Sequence, residues 1–162
     1  MNFKNILTSI FMLAICSCVT QPKILEGIPS ITESEFSQIS DKKTRTVESY
    51  SGLQNQLNVS ATKLDSEMSQ ALLSKTAQIY EWNSTSYNQE LEKIKNNLLS
   101  KTEYFVSFYT PERKQDNLNS SKTIWKIYLD VGGQRYEGKV TKLKTQFADL
   151  QALYPKYNRF AT

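Results

Sequence analysis

WKIYLDVGGQRYEGKV, residues 125–140, is the stretch that most clearly declares β-structure in this chain. Gly132 and Gly133 can take the two positive φ angles of a type I′ turn, whose twist suits antiparallel strands. With those two as the loop, the register follows. Val131 faces Gln134, Leu129 faces Tyr136, Ile127 faces Gly138 and Trp125 faces Val140, which gathers an apolar set on one side. Asp130 with Arg135 and Tyr128 with Glu137 fall on the other side, and Lys126 opposite Lys139 is the discordant pair. Pairs of these kinds contribute about 0.2–1 kcal/mol each, so several together select this register over a one-residue slip. Gly138 leaves a gap beside Trp125 that the indole is expected to cover. The reading predicts strands over 122–131 and 134–144.

Moving toward the N-terminus, Tyr104, Val106 and Phe108 alternate with Phe105, Ser107 and Tyr109, a β-prone run over 103–110 that Pro111 ends. The polar segment 112–121 is expected as a loop, its Glu112-Arg113-Lys114 cluster solvated. Residues 66–100 contain neither Gly nor Pro, and Met68, Leu72, Ile79, Trp82, Leu91, Ile94 and Leu98 recur at helical spacing. Asp65 can cap this segment and Glu67 suits its first turn. One helix of about 50 Å is expected at 1.5 Å per residue, with Asn83-Ser84-Thr85-Ser86 as its weakest point. Before it, residues 47–62 read as one half-buried strand with Leu57, Val59 and Ala61 on one face and Asn58, Ser60 and Thr62 on the other; Gly52 is compatible with a bulge. Residues 36–45 suggest a brief helix, and 18–35, with Pro22, Gly27 and Pro29, a tether. In the tail, 147–153 suggests a short helix and 157–162 an extended segment. The expected fold is α+β: an antiparallel sheet or small β-sandwich with one long helix packed beside it, as a single domain over 36–162.

Charged residues at 22% and hydrophobic residues at 39% suit a globular protein rather than a disordered or membrane-spanning one. Lys4 belongs to the leader discussed below, so 19 of the 20 Lys and Arg remain against 16 Asp and Glu, a net charge of +3. The lysines are dispersed among acidic and neutral neighbours, which argues against nucleic acid as a partner. The chain has no histidine, which removes His-based triads and the commonest transition-metal ligand. No cysteine follows Cys18, so thiol catalysis, zinc–thiolate sites and disulfides drop out of the domain. No phosphate-cradling Gly-rich loop precedes a Lys-Ser or Lys-Thr. Neither cofactor nor metal site is expected, and the domain is expected to be non-catalytic. A carboxylate-dependent, glycosidase-like enzyme is the chemistry that stays open, since Asp and Glu are plentiful.

The N-terminus carries the one explicit address. Lys4 precedes the apolar run Ile6, Leu7, Ile10, Phe11, Met12, Leu13, Ala14, Ile15, and small residues lead to Cys18, the order of an export signal. The run is about ten residues long, well short of the roughly twenty needed to span a bilayer. Ile15-Cys16-Ser17-Cys18 resembles the lipobox of bacterial lipoproteins, a resemblance confined to the leader. It implies that residues 1–17 are removed by signal peptidase II, that the Cys18 thiol receives diacylglycerol, and that the new amine is open to acylation. A thiolate is nucleophilic enough for that transfer, and two or three acyl chains hold a protein on a membrane as one chain does not. Val19, where enteric lipoproteins retained at the inner membrane carry Asp, favours the outer membrane in a two-membraned cell. The competing readings are an ordinary secreted protein cut after Cys16, with Ala14 and Cys16 at the small positions, and a lipobox at Leu13-Ala14-Ile15-Cys16, where Ile15 is too large. Sequons at Asn58, Asn83 and Asn119 matter only in a eukaryotic secretory pathway.

The leading functional expectation is therefore a lipid-anchored cell-envelope protein whose domain binds an envelope partner or serves structure. A glycan- or peptidoglycan-binding module is the alternative, with Tyr104, Tyr109, Tyr128 and Trp125 as candidate contacts, although core packing is the plainer reading of each.

Overall fold

Thr32 starts the first helix through a capping box: its hydroxyl accepts from the Glu35 N–H at 3.2 Å while the Glu35 carboxylate accepts from the Thr32 N–H at 2.9 Å. The computed structural model describes residues 25–112, 114–158 and 160–161; the expected leader 1–17, Cys18 and Val19 lie outside the described residues. Helix α1 spans Glu33–Lys43 and so begins inside the stretch expected to be a tether. Ile28 and Ile31 explain why, since both pack into the core and draw this part of the chain onto the domain. Thr44 closes α1, its N–H donating to the Ser40 carbonyl, and is also the first residue of β1 (Thr44–Ser51).

Strand β1 turns into β2 (Gln54–Lys63) through Gly52-Leu53. Gly52 sits at φ +60° at the first position of this two-residue loop, the place where glycine meets the II′ kind of hairpin turn. The single strand expected over 47–62 is thus two antiparallel strands, and Gly52 is the turn rather than a bulge. A bulge does exist, but between Ser49 and Tyr50. Strand β3 (Tyr104–Tyr109) pairs with the other side of β2, giving the order β1-β2-β3.

The sheet face closed by the rest of the molecule is the hydroxyl face, opposite to the one expected. Ser60 and Thr62 are buried, whereas Leu57, Val59 and Ala61 are half-buried. The Thr44 and Thr62 hydroxyls meet at 2.8 Å, those of Thr46 and Ser60 at 2.9 Å, and the buried Ser107 hydroxyl accepts from the Asn158 N–H at 3.0 Å. Lateral pairing satisfies these groups, and their small size lets the C-terminal segment approach. Phe105, on the same face, stacks on Tyr154 with centroids 3.6 Å apart. Burial, then the charge of Glu103, pushes the Tyr154 phenol up to about 12.

The helix expected over 66–100 is two helices, α2 (Ser66–Ile79) and α3 (Ser84–Ser100). The break falls at the weak point of the sequence: Glu81 adopts φ +51°, and the Asn83 side chain caps α3 by accepting from the Ser86 N–H at 2.8 Å. Asn is a better cap than helix interior because its carbonyl competes for backbone donors. Helix α2 serves both core clusters. Met68 and Ala71 pack with Phe36 of α1; Leu73 and Ala77 pack with Ile28 and with Tyr87 of α3.

The later hairpin consists of β4 (Tyr128–Val131) and β5 (Gln134–Glu137), with Gly132 and Gly133 at φ +57° and +79°. All four pairs have the expected register. The strands are shorter than the expected 122–131 and 134–144. The Gly138 N–H donates to the Ile127 carbonyl at 2.8 Å just beyond the last pair. Ile127, not Trp125, lies over Gly138: a Cβ there would stand 3.4 Å from Ile127 Cγ2. Lys126 escapes Lys139 by pairing with Glu137 at 2.7 Å. Helix α4 (Phe147–Leu153) matches expectation, but the segment after it makes turns, Tyr157 N–H to Tyr154 and Ala161 N–H to Asn158, rather than a strand. The described residues form an α+β fold of four helices and five strands, the strands divided between a three-stranded sheet and a separate two-stranded hairpin.

Candidate functional site

Four elements, α1 and the three strands of the larger sheet, meet where α1 ends. Lys42 and Lys43 occupy the last turn of α1, where positive charge complements the helix dipole. On the sheet face away from the buried hydroxyls, Arg45 of β1 pairs with Ala61 of β2, and Lys63 of β2 pairs with Tyr104 of β3. Same-face neighbours on adjacent strands stand about 4.5–5.5 Å apart at Cβ. The small Ala61 side chain therefore becomes the floor of a depression walled by long side chains. That groove has a volume of about 390 Å³ and is lined by Lys42, Lys43, Arg45, Ala61, Lys63 and Tyr104.

Its cations are not equivalent. Lys43 is engaged, with Nζ 2.8 Å from Asp65 and 2.7 Å from Glu67. Those carboxylates, the hydrogen bond to Asp65 foremost, hold the Lys43 ammonium above its ordinary range. Burial works to raise the Asp65 carboxyl, but the Lys43 hydrogen bond and the Met68 N–H outweigh it and bring it below the usual carboxylate range. Arg45 donates one guanidinium nitrogen to the Thr44 and Lys42 carbonyls at 2.8 and 3.2 Å, which fixes the plane of the group and leaves its other N–H donors directed elsewhere. Among the described residues, neither Lys42 nor Lys63 stands within ion-pair distance of a carboxylate. Among the described residues Lys42, Arg45 and Lys63 thus line the groove without a carboxylate at ion-pair distance, although the Lys63 charge also helps to lower Asp65, and Tyr104 lines the same groove.

The four candidate aromatics do not converge. Tyr104 is 40% exposed at the groove, while Tyr128 is 47% exposed on the other hairpin, 5.2 Å from the Arg135 guanidinium. Tyr109 is half-buried against Phe160, with centroids 6.1 Å apart. Trp125 is half-buried, edge-on to Phe108 at 5.2 Å, and donates its indole N–H to the Gln115 carbonyl at 2.8 Å. Trp125 and Tyr109 are thus packing residues, and Tyr104 is the candidate that lines a groove. Cys18 lies outside the described residues.

A larger depression runs beside Thr85, Asn88, Gln89, Glu92 and Lys93. It follows the polar face of one helix, with no second wall to orient a ligand. Among the described residues no group of three or more His, Cys, Asp or Glu is placed to hold a metal ion, and no helix is long and apolar enough to cross a membrane. No protein-family model, curated protein or solved structure matches the chain.

The basic residues of the groove come from both sides of a hairpin whose alternation reads as one strand, so the sequence does not show that they share a face. The available signal was Lys42-Lys43 followed by Arg45, together with Lys63 on the opposite arm of a glycine turn.

Proposed function

We propose that the protein is held on a membrane of the bacterial cell envelope by lipid on Cys18, and that it works there by binding rather than by catalysis. The observation that carries the reading is the order of Lys4, the apolar run from Ile6 to Ile15, and the Ile15-Cys16-Ser17-Cys18 motif. A binding role is supported by the groove around Ala61, which is shallow, open to water and rich in hydrogen-bond donors. Such a site suits holding a solvated partner, whereas catalysis draws its power from donors in a water-excluded pocket. Metabolic labelling with a clickable palmitate analogue tests the anchor: the wild-type chain takes the label and Cys18→Ser loses it. Equal labelling of the two would overturn the assignment.

Glycan recognition is the second reading, favoured by the exposed Tyr104 ring beside the cations. The glycosidase-like reading finds less support at this site. The acidic residues joined to it through Lys43, Asp65 and Glu67, share one ammonium partner, and the Asp65 carboxyl is held low where a general acid must be held high.

A further inference from the structure

We infer that the groove between α1 and the three-stranded sheet binds an anionic sugar, one carrying a carboxylate or a phosphate. The oxyanion meets Arg45 and Lys63, and the flat face of the sugar lies against Tyr104. This rests on the binding role proposed above and is independent of the lipid anchor.

Charge selects the class. Lys42, Lys43, Arg45 and Lys63 line one small depression, where Asp65 and Glu67 pair with Lys43 and Asp65 is also within the field of Lys63, so positive charge remains in excess. Charge-assisted bonds from Arg to carboxylate or phosphate are the strong, directional kind, and a guanidinium whose plane is already fixed loses less freedom on forming them. Arg45 is held in this way by the Thr44 and Lys42 carbonyls. Shape narrows the class further. Ala61 gives the groove a flat floor between strands, and Tyr104 offers an apolar ring with a polar tip, the surface against which the C–H face of a sugar can rest.

The groove and the packing of the first described residues lie at different ends of α2. The described chain begins at Leu25, and Leu25 and Ile28 pack with Leu73 and Ala77 in the second half of α2. The groove is tied to the opposite end of that helix, where Lys43 bonds the α2 cap Asp65. At 1.5 Å per residue those two ends are about 12–18 Å apart along the helix. The groove thus stands apart from the place where Leu25 and Ile28 join the core.

The test uses the full chain purified in detergent, titrated with trigalacturonate, with glucose 6-phosphate, with neutral galactotriose, and with phosphatidylglycerol vesicles. Either acidic sugar is expected to bind at least tenfold more tightly than galactotriose, and the binding to weaken with added salt. Arg45→Gln and Lys63→Gln should each weaken it by about tenfold, the order expected for a lost charge-assisted bond. Tyr104→Ala should weaken it by about threefold, the scale of one aromatic contact. These exposed positions allow unchanged thermal melts to verify folding. Equal affinity for neutral and acidic sugars, binding to neither acidic sugar, binding to vesicles alone, or indifference to Arg45→Gln and Lys63→Gln would each overturn the proposal. None of these results bears on palmitate labelling, so the anchor and the groove stand or fall separately.

Discussion

The two β-hairpins are built alike at their tips and differently everywhere else. Each closes through a two-residue loop with glycine at positive φ, Gly52 in the first and Gly132-Gly133 in the second. The β1–β2 hairpin then gains a third strand, and its hydroxyl face is closed by buried neighbours. The β4–β5 hairpin remains two strands of four residues, with Val131 56% and Tyr136 53% exposed. Its visible support is local: the two Arg135–Asp130 bonds at 2.8 and 3.0 Å, the Lys126–Glu137 pair, and Arg135 over Tyr128. An isolated two-stranded ribbon is marginally stable in water. The comparison therefore separates a hairpin whose stability is that of the domain from one that can open by itself.

Removing the packing between α2 and α1, the helix at whose end the first hairpin begins, should have the largest effect. Phe36 has no exposed surface and anchors the cluster with Met68 and Ala71. Phe36→Ala should cost about 3–5 kcal/mol, read as a loss of midpoint in urea for the whole domain. If that loss left amide protection in β1 and β2 unchanged, the first hairpin would not share the stability of the domain.

The hydroxyl ladder sharpens the point. Thr44→Val or Thr62→Val alone strands one buried hydroxyl and should cost about 1–3 kcal/mol, whereas the double variant removes both partners and should come close to wild type. Strict additivity in a double-mutant cycle would mean that the 2.8 Å contact contributes nothing as a pair.

What the sequence makes legible follows the same divide. Gly-Gly between alternating residues is local turn chemistry, and it gave the β4–β5 register residue by residue. Gly52-Leu53 is a weaker signal, because leucine is not a turn former and the alternation runs through it. Even with that turn recognised, counting outward from Ser51 opposite Gln54 sets Arg45 against Ser60, on the wrong face. The bulge at Ser49/Tyr50 corrects this by one residue and brings Arg45 opposite Ala61. The groove was illegible for that reason, since one inserted residue decides which side chains share a face. The inverted sheet was hidden by a different cause. Polarity assigns Ser60 and Thr62 to solvent, and only the partners Thr46 and Thr44 across the strand make their burial acceptable. The helix break, in contrast, was visible as four poor helix formers in a row.

Matched glycine substitutions test the comparison at the tips themselves. An alanine forced into the left-handed region costs about 1–2 kcal/mol. Among the described residues beyond the two chain neighbours, no atom lies within 4 Å of the Cβ that either Gly52→Ala or Gly133→Ala would add, so φ, +60° and +79°, sets the penalty. Gly52→Ala should lower global stability by about that amount. Gly133→Ala should leave the urea midpoint nearly unchanged and speed hydrogen exchange in β4 and β5 only. Equal global losses would show that the second hairpin folds as one unit with the first.

The smallest and most specific difference lies in two carboxylates. Asp65, at the end of β2, is raised by burial but lowered overall by Lys43 and the Met68 N–H; Asp130 in β4 is lowered by Arg135. Each carboxyl is depressed in the folded chain. Its contribution is therefore complete above the ordinary value of 3.8 and is lost as pH falls through the lower folded value. What that loss unfolds should differ. Asp65 caps α2, and Asp65→Ala should cost the whole domain about 1 kcal/mol at neutral pH. Asp65→Asn retains a cap acceptor but should flatten the acid limb of the stability profile below that pH. Asp130→Asn should leave that limb intact and change only hydrogen exchange in the β4–β5 ribbon. A global acid limb that responds to Asp130→Asn and not to Asp65→Asn would reverse the assignment of which hairpin belongs to the domain core.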